Sequence, residues 1–305
     1  MVVSTPHFSV LRDEVIASFA AVQNGTVVDG TFGAGGYTRS LLETYPACRV
    51  IAFDRDETVL PFVQKIKGEF PDRFTFIPDC FGNMALHLKE PVNGIVLDLG
   101  VSSMQIDTPE RGFSFRFDGP LDMRMGSASL SAADIVNTFS EKEIADILFK
   151  YGEEKASFRI ARAIVAARRQ GDIRTTLQLA EIIHHVMPKP KDGSDSATRS
   201  FQALRIFVND ELGELERALE ASKSLLSIGG VLSVVSFHSL EDRLVKNFFI
   251  QNSDNKPNQN RHLPVQNQER PLFKIMTKKP IVAGEKELSL NSRSASAKLR
   301  TGVRI

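Results

Sequence analysis

Cysteine is scarce in this sequence. Only Cys48 and Cys80 are present in 305 residues, which argues against a disulfide scaffold and against a zinc site built from cysteines. No uninterrupted apolar run approaches the roughly 20 residues that a membrane-spanning helix needs, and the amino terminus lacks the basic-then-apolar pattern of a secretory signal. These absences predict a cytoplasmic protein with no metal centre and no membrane partner.

The chain also has little net charge, +1, but the charge is unevenly distributed. From Arg243 to the end, thirteen Lys and Arg residues stand against four Asp and Glu residues, a net charge of +9, whereas the remainder carries −8. Such a basic segment indicates contact with a polyanion, either a nucleic acid or an anionic membrane surface. The alternative is a solvated, poorly ordered tail.

Short apolar runs alternate with helical patterns through the first hundred residues, and an acid stands at or near the end of each run. The predicted strands are 26–29, 49–53, 74–77 and 94–97, and the acids are Asp29, Asp54, Asp79 and Asp98. This alternation predicts an α/β fold with a parallel, doubly wound sheet. Its ligand should lie at the carboxyl ends of the strands.

The alternation then stops. Residues 99–125 have a loop-like composition, and from Ser131 to Met187 the pattern is helical. Ser140 followed by Glu143 forms a capping-box signature, and Thr175 or Thr176 can cap a later helix.

A long helical pattern at 196–226 and a strand at 231–236 follow. We therefore predict an inserted all-helical domain at 107–197, a candidate for recognition of the substrate. The sheet domain is discontinuous and comprises 1–106 and 198–305.

The turn after the first strand is dense in glycine. Glycine lets a ligand approach the backbone closely, and the N–H groups of the following helix face that ligand. The dinucleotide pattern G-x-G-x-x-G is not matched, because its third glycine, counted from Gly33, is Thr38. Asp29 before the turn would repel a pyrophosphate, but it suits a ligand with an ammonium group, such as the methionine moiety of S-adenosylmethionine.

Two further strand ends fit the same ligand. Asp54 lies 21 residues after Gly33, where a carboxylate can accept both ribose hydroxyls. Asp79 and Phe81 follow the third strand and can meet the amino group and the face of a purine. One such acid could equally cap a helix or be solvated in a loop, but four in register indicate a shared ligand.

Five longer strings carry a family resemblance. They are D-G-T-F-G-A-G-G, D-L-G-V-S-S-x-Q, R-G-F-S-F-x-x-D-G-P-L-D-M-R-M, F-Q-A-L-R-I-x-V-N-x-E-L and S-F-H-S-L-E-D-R. Together they closely resemble the ribosomal RNA small subunit methyltransferase H family. The resemblance implies a Rossmann-like class I methyltransferase sheet that uses S-adenosylmethionine to methylate N4 of a decoding-site (P-site) cytidine of 16S rRNA in the small ribosomal subunit.

The resemblance also implies which residues contact the cofactor. They are Gly35, Gly36, Tyr37, Asp54, Phe81, Asp98 and Gln105. The glycine turn itself adds Asp29 and Gly33 to this set.

The chemistry of cytosine N4 suggests two catalytic candidates. N4 is a poor nucleophile because its lone pair is delocalised into the ring, so it needs acceptors for its N–H groups and alignment with the methyl–sulfur bond. Asp98 ends the fourth strand and could serve here or on the cofactor. Amino-methylating enzymes of nucleic acids often carry an acid or Asn followed by two prolines and an aromatic at this point, whereas this chain has Asp98-Leu99-Gly100-Val101, and the resemblance favours a cofactor role for Asp98. His238 is the second candidate, or else a structural histidine in a turn.

A base inside folded RNA must be splayed out and held by aromatic rings or Arg planes. The substrate-binding candidates are Arg111, Phe113, Arg116 and Arg243. The alternating phenylalanines at 113, 115 and 117 could instead form one buried face of a strand.

Three other functions fit parts of the sequence. An NAD-type oxidoreductase is disfavoured by Thr38 and Asp29, and a DNA amino-methyltransferase by the missing proline pair, so no DNA partner is expected. A noncatalytic ribosome-assembly or RNA-binding protein would bind RNA without methyl transfer. No pattern indicates an oligomeric state.

Overall fold

The computed structural model describes residues 9–126, 128–187, 193, 195–254 and 270–305. The chain divides into two compact units. Residues 1–100 and 212–305 form the first, here called the sheet unit, and residues 101–211 form the second, the helical unit. The predicted insertion, 107–197, lies within the helical unit, which is wider at both ends.

Within the described residues, seven strands form one sheet. They are β1 (Thr26–Asp29), β2 (Arg49–Phe53), β3 (Phe74–Ile77), β4 (Val92–Asp98), β5 (Leu226–Ser236), β6 (Phe273–Ile275) and β7 (Lys298–Arg304). The spatial order is β3-β2-β1-β4-β5-β7-β6. The first five strands are parallel, and β7 is antiparallel to both of its neighbours. The α/β prediction of a parallel sheet is therefore confirmed, with an antiparallel pair added at one edge.

The helices, in chain order, are α1 (Arg12–Ser18), α2 (Gly36–Thr44), α3 (Leu60–Glu69), α4 (Met84–His87), α5 (Ser103–Ile106), α6 (Ala132–Thr138), α7 (Glu141–Gly152), α8 (Ser157–Arg168), α9 (Thr176–Val186), α10 (Thr198–Asn209), α11 (Glu211–Leu225), α12 (Ser239–Gln251) and α13 (Glu285–Leu290). No helix of the described residues is long and apolar enough to cross a membrane.

Side chains from the central strands and from α11 and α12 form the core of the sheet unit. Val28, Ile95 and Leu232 are fully buried, as expected for β-branched and aliphatic residues in strands covered on both faces. This packing fixes the strand ends, where the acids lie.

The basic segment folds in part as sheet. Phe273 in β6 is fully buried, and its ring lies 5.4 Å from that of Phe248 and 5.9 Å from that of Phe249, centroid to centroid. Burying such a ring contributes on the order of 2 kcal/mol. Residues 270–305 are therefore no loose tail, while residues 255–269 lie outside the described part of the chain.

The helical unit has its own core, built mainly from α6 to α10. Capping boxes open three of these helices, at Ser131, Ser140 and Thr175. The predicted capping box at Ser140 is confirmed, and Thr175 rather than Thr176 caps α9.

The predicted single helix at 196–226 is wrong. It is broken at Asp210, which adopts a left-handed conformation with φ 49°. Asn209, the last residue of α10, pairs with a distant backbone: Oδ1 accepts from the Met125 N–H at 2.7 Å, and Nδ2 donates to the Met123 carbonyl at 2.7 Å. β5 also begins five residues earlier than predicted, at Leu226.

Candidate active site at the strand ends

Asp29 ends β1 as a fully buried carboxylate. Its Oδ2 accepts from the Thr38 hydroxyl at 2.6 Å, and its Oδ1 accepts from the Thr31 N–H at 3.2 Å. Burial raises the pKa of Asp29 to about 6, against the lowering effect of the two threonines, and the nearby Asp54 raises it further. The site therefore holds a carboxylate whose charge the fold itself does not neutralise.

The glycine turn after Asp29 needs glycine for two separate reasons. Gly33 and Gly35 have φ values of 52° and 78°, a left-handed region that disfavours side chains. A Cβ at Gly35 would also lie 2.4 Å from Ile66 Cδ1, and one at Gly36 would lie 1.9 Å from Ser9 Oγ. The chain can therefore turn sharply into α2 and present the first N–H groups of that helix.

Asp54, which follows β2, ties the second strand to this turn. Its Oδ2 accepts from the Gly33 N–H at 2.8 Å, and its Oδ1 accepts from the Asp56 N–H at 2.9 Å. Burial raises the pKa of Asp54 despite these bonds. The structure therefore places Asp54 beside the glycine turn, as the sequence predicts.

Asp79 braces its own turn. Its carboxylate accepts from the Cys80 N–H at 2.6 Å and the Asn83 amide at 2.9 Å, and lies 2.7 Å from His87 Nε2. Burial works against these bonds, but together they lower the pKa of Asp79. We conclude that the Asp79 carboxylate stabilises its own turn and is not the purine contact that the sequence suggests.

Phe81 begins a single 3-10 turn, Phe81–Asn83, after β3. A Cβ at Gly30 would lie 3.0 Å from Phe81 Cβ, so the aromatic residue lies directly against the start of the glycine turn.

Asp98 is the least satisfied acid of the set. Its N–H donates to Thr31 Oγ1 at 2.7 Å, but its Oδ1 is buried and has no hydrogen-bond partner among the described residues. Burial raises the pKa of Asp98 well above its usual range, and the charges of Asp29 and Glu241 add to this. An orphaned buried acceptor is costly, so this oxygen marks a place for a donor or a cation.

His238 caps α12. Its Nδ1 accepts from the Glu241 N–H at 3.4 Å, and Glu241 Oε2 accepts from the Phe237 N–H at 2.8 Å and from the His238 N–H at 3.2 Å. Nε2 lies 3.1 Å from Glu241 Oε1, without the angle of a hydrogen bond. Nδ1 of His238 is therefore engaged by its own helix. This geometry favours the structural alternative for His238.

Two other predicted cofactor residues have side chains that are engaged in local contacts. The Tyr37 ring is buried and its hydroxyl donates to the Val10 carbonyl, so Tyr37 can offer the site only its backbone. Gln105 belongs to the helical unit, where it is buried and its Oε1 accepts from the Ser102 N–H at 2.9 Å.

The substrate candidates are also divided between the units. In the helical unit, Arg111 donates to the Arg124 carbonyl at 2.9 Å and stands over the Phe113 ring at 5.7 Å. Phe113 packs partly against the core of that unit, whereas Arg116 is exposed. Arg243 is exposed on α12 of the sheet unit.

The alternating phenylalanines do not form a strand face. Phe115 packs on the core, with its ring centroid 4.6 Å from that of Phe201, while Phe117 is 70% exposed. Of these three aromatics, therefore, Phe117 is the exposed one.

Two threonines of the site are not predicted from the sequence. In the glycine pattern Thr38 stands out only as a missing glycine, yet its hydroxyl holds Asp29, and Thr31 links β1 to β4 through Asp98. A signal for Thr38 is present in the sequence, because a hydroxyl nine residues after a strand-end acid lies within reach of that acid across a tight turn. Thr31 contacts Asp29 through its backbone N–H, which carries no sequence signal.

A groove of about 440 Å³ lies at the amino ends of the parallel strands, near the starts of β1, β4 and β5. It is lined by Ala21, Val22, Gln23, Asn24, Gly25, Asn93, Ser227, Ile228 and Gly229. None of these side chains is ionisable. We therefore place the candidate active site at the carboxyl ends of the strands, where the acids lie.

The strand order, the acid-ended β1 and the glycine turn at the carboxyl edge define a Rossmann-like class I methyltransferase sheet. The chain belongs to the MraW methylase family, whose sequence profile matches residues 4–305. The family resemblance predicted from the motifs is thereby confirmed, and the chain is a methyltransferase.

Two full-length relatives show how close this likeness is. "Ribosomal RNA small subunit methyltransferase H" of Methylobacterium nodulans is 51% identical over 306 residues, covering 98% of this chain and 90% of the relative. The protein of the same name from Rhodospirillum centenum is 53% identical, covering 98% and 92%. A solved structure of an rRNA methylase from Streptococcus thermophilus is 12% identical, with a TM-score of 0.44 over 96% of this chain and 95% of its own.

Proposed function

We propose that this protein transfers a methyl group from S-adenosylmethionine to N4 of a decoding-site (P-site) cytidine of 16S rRNA in the small ribosomal subunit. The observation that carries the proposal is the full-length relationship to proteins named for methylation of small-subunit ribosomal RNA, at 51% and 53% identity. The cytidine and its N4 atom rest on the motif resemblance. The cytoplasm, where ribosomal subunits are found, is the proposed location.

The charge of the strand ends fits this cofactor. Asp29, Asp54 and Asp98 all have raised pKa values, chiefly through burial, and none forms an ion pair with Lys or Arg within the described part of the chain. A ligand that brings positive charge relieves this cost. S-adenosylmethionine supplies a methyl group on a positively charged sulfonium and carries an ammonium group besides.

Each residue then has a proposed role. Asp29 and the N–H groups of Gly36 and Tyr37 hold the amino-acid end, and Gly33 and Gly35, whose own N–H groups donate to Asp54 and to the Phe32 carbonyl, let that end approach the backbone closely. Asp54 holds the ribose hydroxyls, and Phe81 covers one face of the purine. Gln105 is a further proposed contact.

Asp98 is the proposed catalytic acceptor. The unpartnered Oδ1 can accept an N–H of the cytosine amino group, which favours a pyramidal N4 with its lone pair available. As the bond between N4 and the methyl carbon forms, the methyl–sulfur bond breaks and positive charge passes from the sulfonium to the base. The Asp98 carboxylate stabilises that charge and accepts the surplus N4 proton. We prefer Asp98 to His238, because the acceptor nitrogen of His238 is used by its helix.

The RNA surface is proposed to include Arg116 with its exposed neighbour Phe117, together with Arg111 and Phe113, and Arg243 in the basic segment. An exposed ring beside guanidinium groups suits stacking against an unpaired base.

The test uses tritiated S-adenosylmethionine with small ribosomal subunits, naked 16S rRNA and DNA, followed by nucleoside analysis. We expect N4-methylcytidine in the ribosomal RNA and no label in DNA. If no form of the ribosomal RNA yields N4-methylcytidine, the proposal fails. RNA binding without any methyl transfer would support the noncatalytic alternative.

A further inference from the structure

Glu214 is a buried acid that the proposed reaction does not use. It lies in α11 and is only 6% exposed. Its Oε1 accepts from Arg217 Nη2 at 2.8 Å, and its Oε2 accepts from the Gly82 N–H at 2.8 Å. Since Arg217 is 48% exposed at its side chain, the ion pair is a weak reason to bury a carboxylate. The bond to Gly82 is the more informative contact.

Gly82 is shaped to receive this carboxylate. A Cβ at position 82 would lie 2.2 Å from Glu214 Oε2 and 3.1 Å from the Glu214 carbonyl oxygen. The turn therefore lies close against α11, and a side chain at position 82 would have to displace the Glu214 carboxylate. The contact joins positions 132 residues apart in the chain, so it is a tertiary contact rather than part of a local turn.

The turn that Glu214 holds is the one that carries Phe81. The same turn is also held by Asp79, whose Oδ1 accepts from the Cys80 N–H and from the Asn83 side-chain amide. Two carboxylates, one local and one distant, thus fix the backbone on both sides of Phe81.

We propose that Glu214 is a positioning residue for the purine end of the methyl donor, acting through the Gly82 N–H to hold the Phe81 turn. The inference rests on the proposed function, because the purine-facing role of Phe81 does. Glu214 itself touches neither the donor nor the reacting atoms.

The test compares two ligands by calorimetry: S-adenosylmethionine, and 5′-methylthioadenosine, which keeps the purine and ribose but lacks the amino-acid end. Glu214→Ala should lower the affinity for each ligand by about tenfold, as expected for loss of one hydrogen bond to a charged group. Glu214→Gln keeps an oxygen for Gly82 and should stay within about threefold of wild type. Arg217→Ala is the matched control and should change neither affinity by more than about twofold.

A double-mutant cycle separates positioning from general damage. If Glu214 acts through Phe81, adding Phe81→Ala to Glu214→Ala should cost less than Phe81→Ala costs alone. Fully additive losses would overturn the inference, and so would a loss confined to S-adenosylmethionine.

Gly82→Ala provides a second route should Glu214→Ala fail to fold. It drives a methyl group toward the Glu214 carboxylate and should weaken both ligands about tenfold; unchanged affinity would overturn the inference. A wild-type protein that does not bind S-adenosylmethionine defeats the proposed function itself. A wild type that binds, beside a Glu214→Ala variant that binds equally well, defeats only the role of Glu214.

Discussion

The strand-end acids of the sheet unit differ from two acids of the helical unit in the partners that they have. In the helical unit, Asp122 accepts from the Arg124 Nε at 2.9 Å and Nη2 at 2.6 Å, and Arg205 holds Glu211 through two bonds at 2.8 and 2.9 Å. In the sheet unit, Asp29 is fully buried and Asp98 has a buried Oδ1, and neither forms an ion pair with Lys or Arg among the described residues. The ion pairs of the helical unit compensate the charge of their carboxylates, whereas burial of an uncompensated carboxylate lowers the stability of the ligand-free fold.

The direction of the pKa shifts expresses this difference. Burial tends to raise the pKa of Asp122, but the bonds from Arg124 outweigh it and the pKa is lowered. For Asp98, burial and the charges of Asp29 and Glu241 all act upward. Burial without a neutralising cation therefore distinguishes Asp98 from the ion-paired Asp122, and it makes Asp98 a candidate for contact with a ligand.

The largest effect should follow from Asp98→Asn. We expect the single-turnover rate at saturating S-adenosylmethionine to fall by about a hundredfold or more, as when one preorganised polar group is removed from an active site. The fold should be kept, because Asn has the same shape and no charge to bury.

The matched control is Glu154→Gln in the helical unit. Glu154 is 5% exposed, and its Oε1 accepts from the Ala156 N–H at 2.8 Å, a bond that Gln can keep. Its single-turnover rate should match wild type. A normal rate in Asp98→Asn together with weakened cofactor binding would instead assign Asp98 to holding the cofactor.

Asp54→Ala should act on binding rather than on the chemical step. We expect the dissociation constant for S-adenosylmethionine to rise by about ten- to a hundredfold in calorimetry, because hydrogen bonds to a charged group are lost. Asp54→Asn keeps an acceptor for the Gly33 N–H, so it separates loss of the ribose contact from disorder of the turn. Unchanged affinity in Asp54→Ala would refute the role of Asp54.

Sequence reasoning succeeds where the determinants are local. The bounds predicted for β1, β2 and β3 agree with the structure residue for residue, because apolar runs there end abruptly at acids. The same strand ends locate Asp29, Asp54 and Asp98 from the sequence pattern alone.

Sequence reasoning fails where the determinants are distant. The helix break at Asp210 follows Asn209, whose side chain reaches Met123 and Met125, and no local pattern announces a partner 84 residues away. The sequence of the tail indicates only its charge, yet Arg300 Nε lies 2.7 Å from Asp242 Oδ1, so part of that charge holds β7 to α12.

The pH dependence of cofactor binding tests the buried charge of Asp29 directly. A cation binds the ionised form, so binding must release a proton wherever Asp29 is still protonated. With a pKa of about 6, affinity for S-adenosylmethionine should rise about tenfold from pH 5 to pH 7 and flatten above the pKa. In this range the ligand's own α-amino group stays largely protonated.

Two controls isolate this effect. Asp29→Asn should bind weakly and show a much flatter profile, and 5′-methylthioadenosine, which carries neither the sulfonium nor the ammonium group, should show little dependence on pH. Affinity for S-adenosylmethionine that is constant from pH 5 to pH 7 would contradict the assignment.

The same shift has a consequence for stability. The unfolded chain loses the Asp29 proton near the ordinary value of 3.8, and the folded chain loses it near 6. The folded state thus binds more protons in this interval, so the free energy of unfolding falls as pH rises through it. Asp29→Asn should therefore stabilise the ligand-free protein above pH 6, on the order of 2 kcal/mol.

The smallest effect belongs to the helical unit, at the capping box of α7. Ser140 Oγ accepts from the Glu143 N–H at 3.3 Å, and Glu143 Oε2 accepts from the Ser140 N–H at 2.8 Å. Ser140→Ala should cost about 1 kcal/mol in denaturant unfolding and speed hydrogen exchange in the first turn of α7. The affinity for S-adenosylmethionine should stay at the wild-type value, because the Glu143 carboxylate hydrogen-bonds only to the first turn of its own helix. A change in that affinity would contradict the distinction between acids that are hydrogen-bonded within their own helix, such as Glu143, and the strand-end acids that are proposed to bind the cofactor.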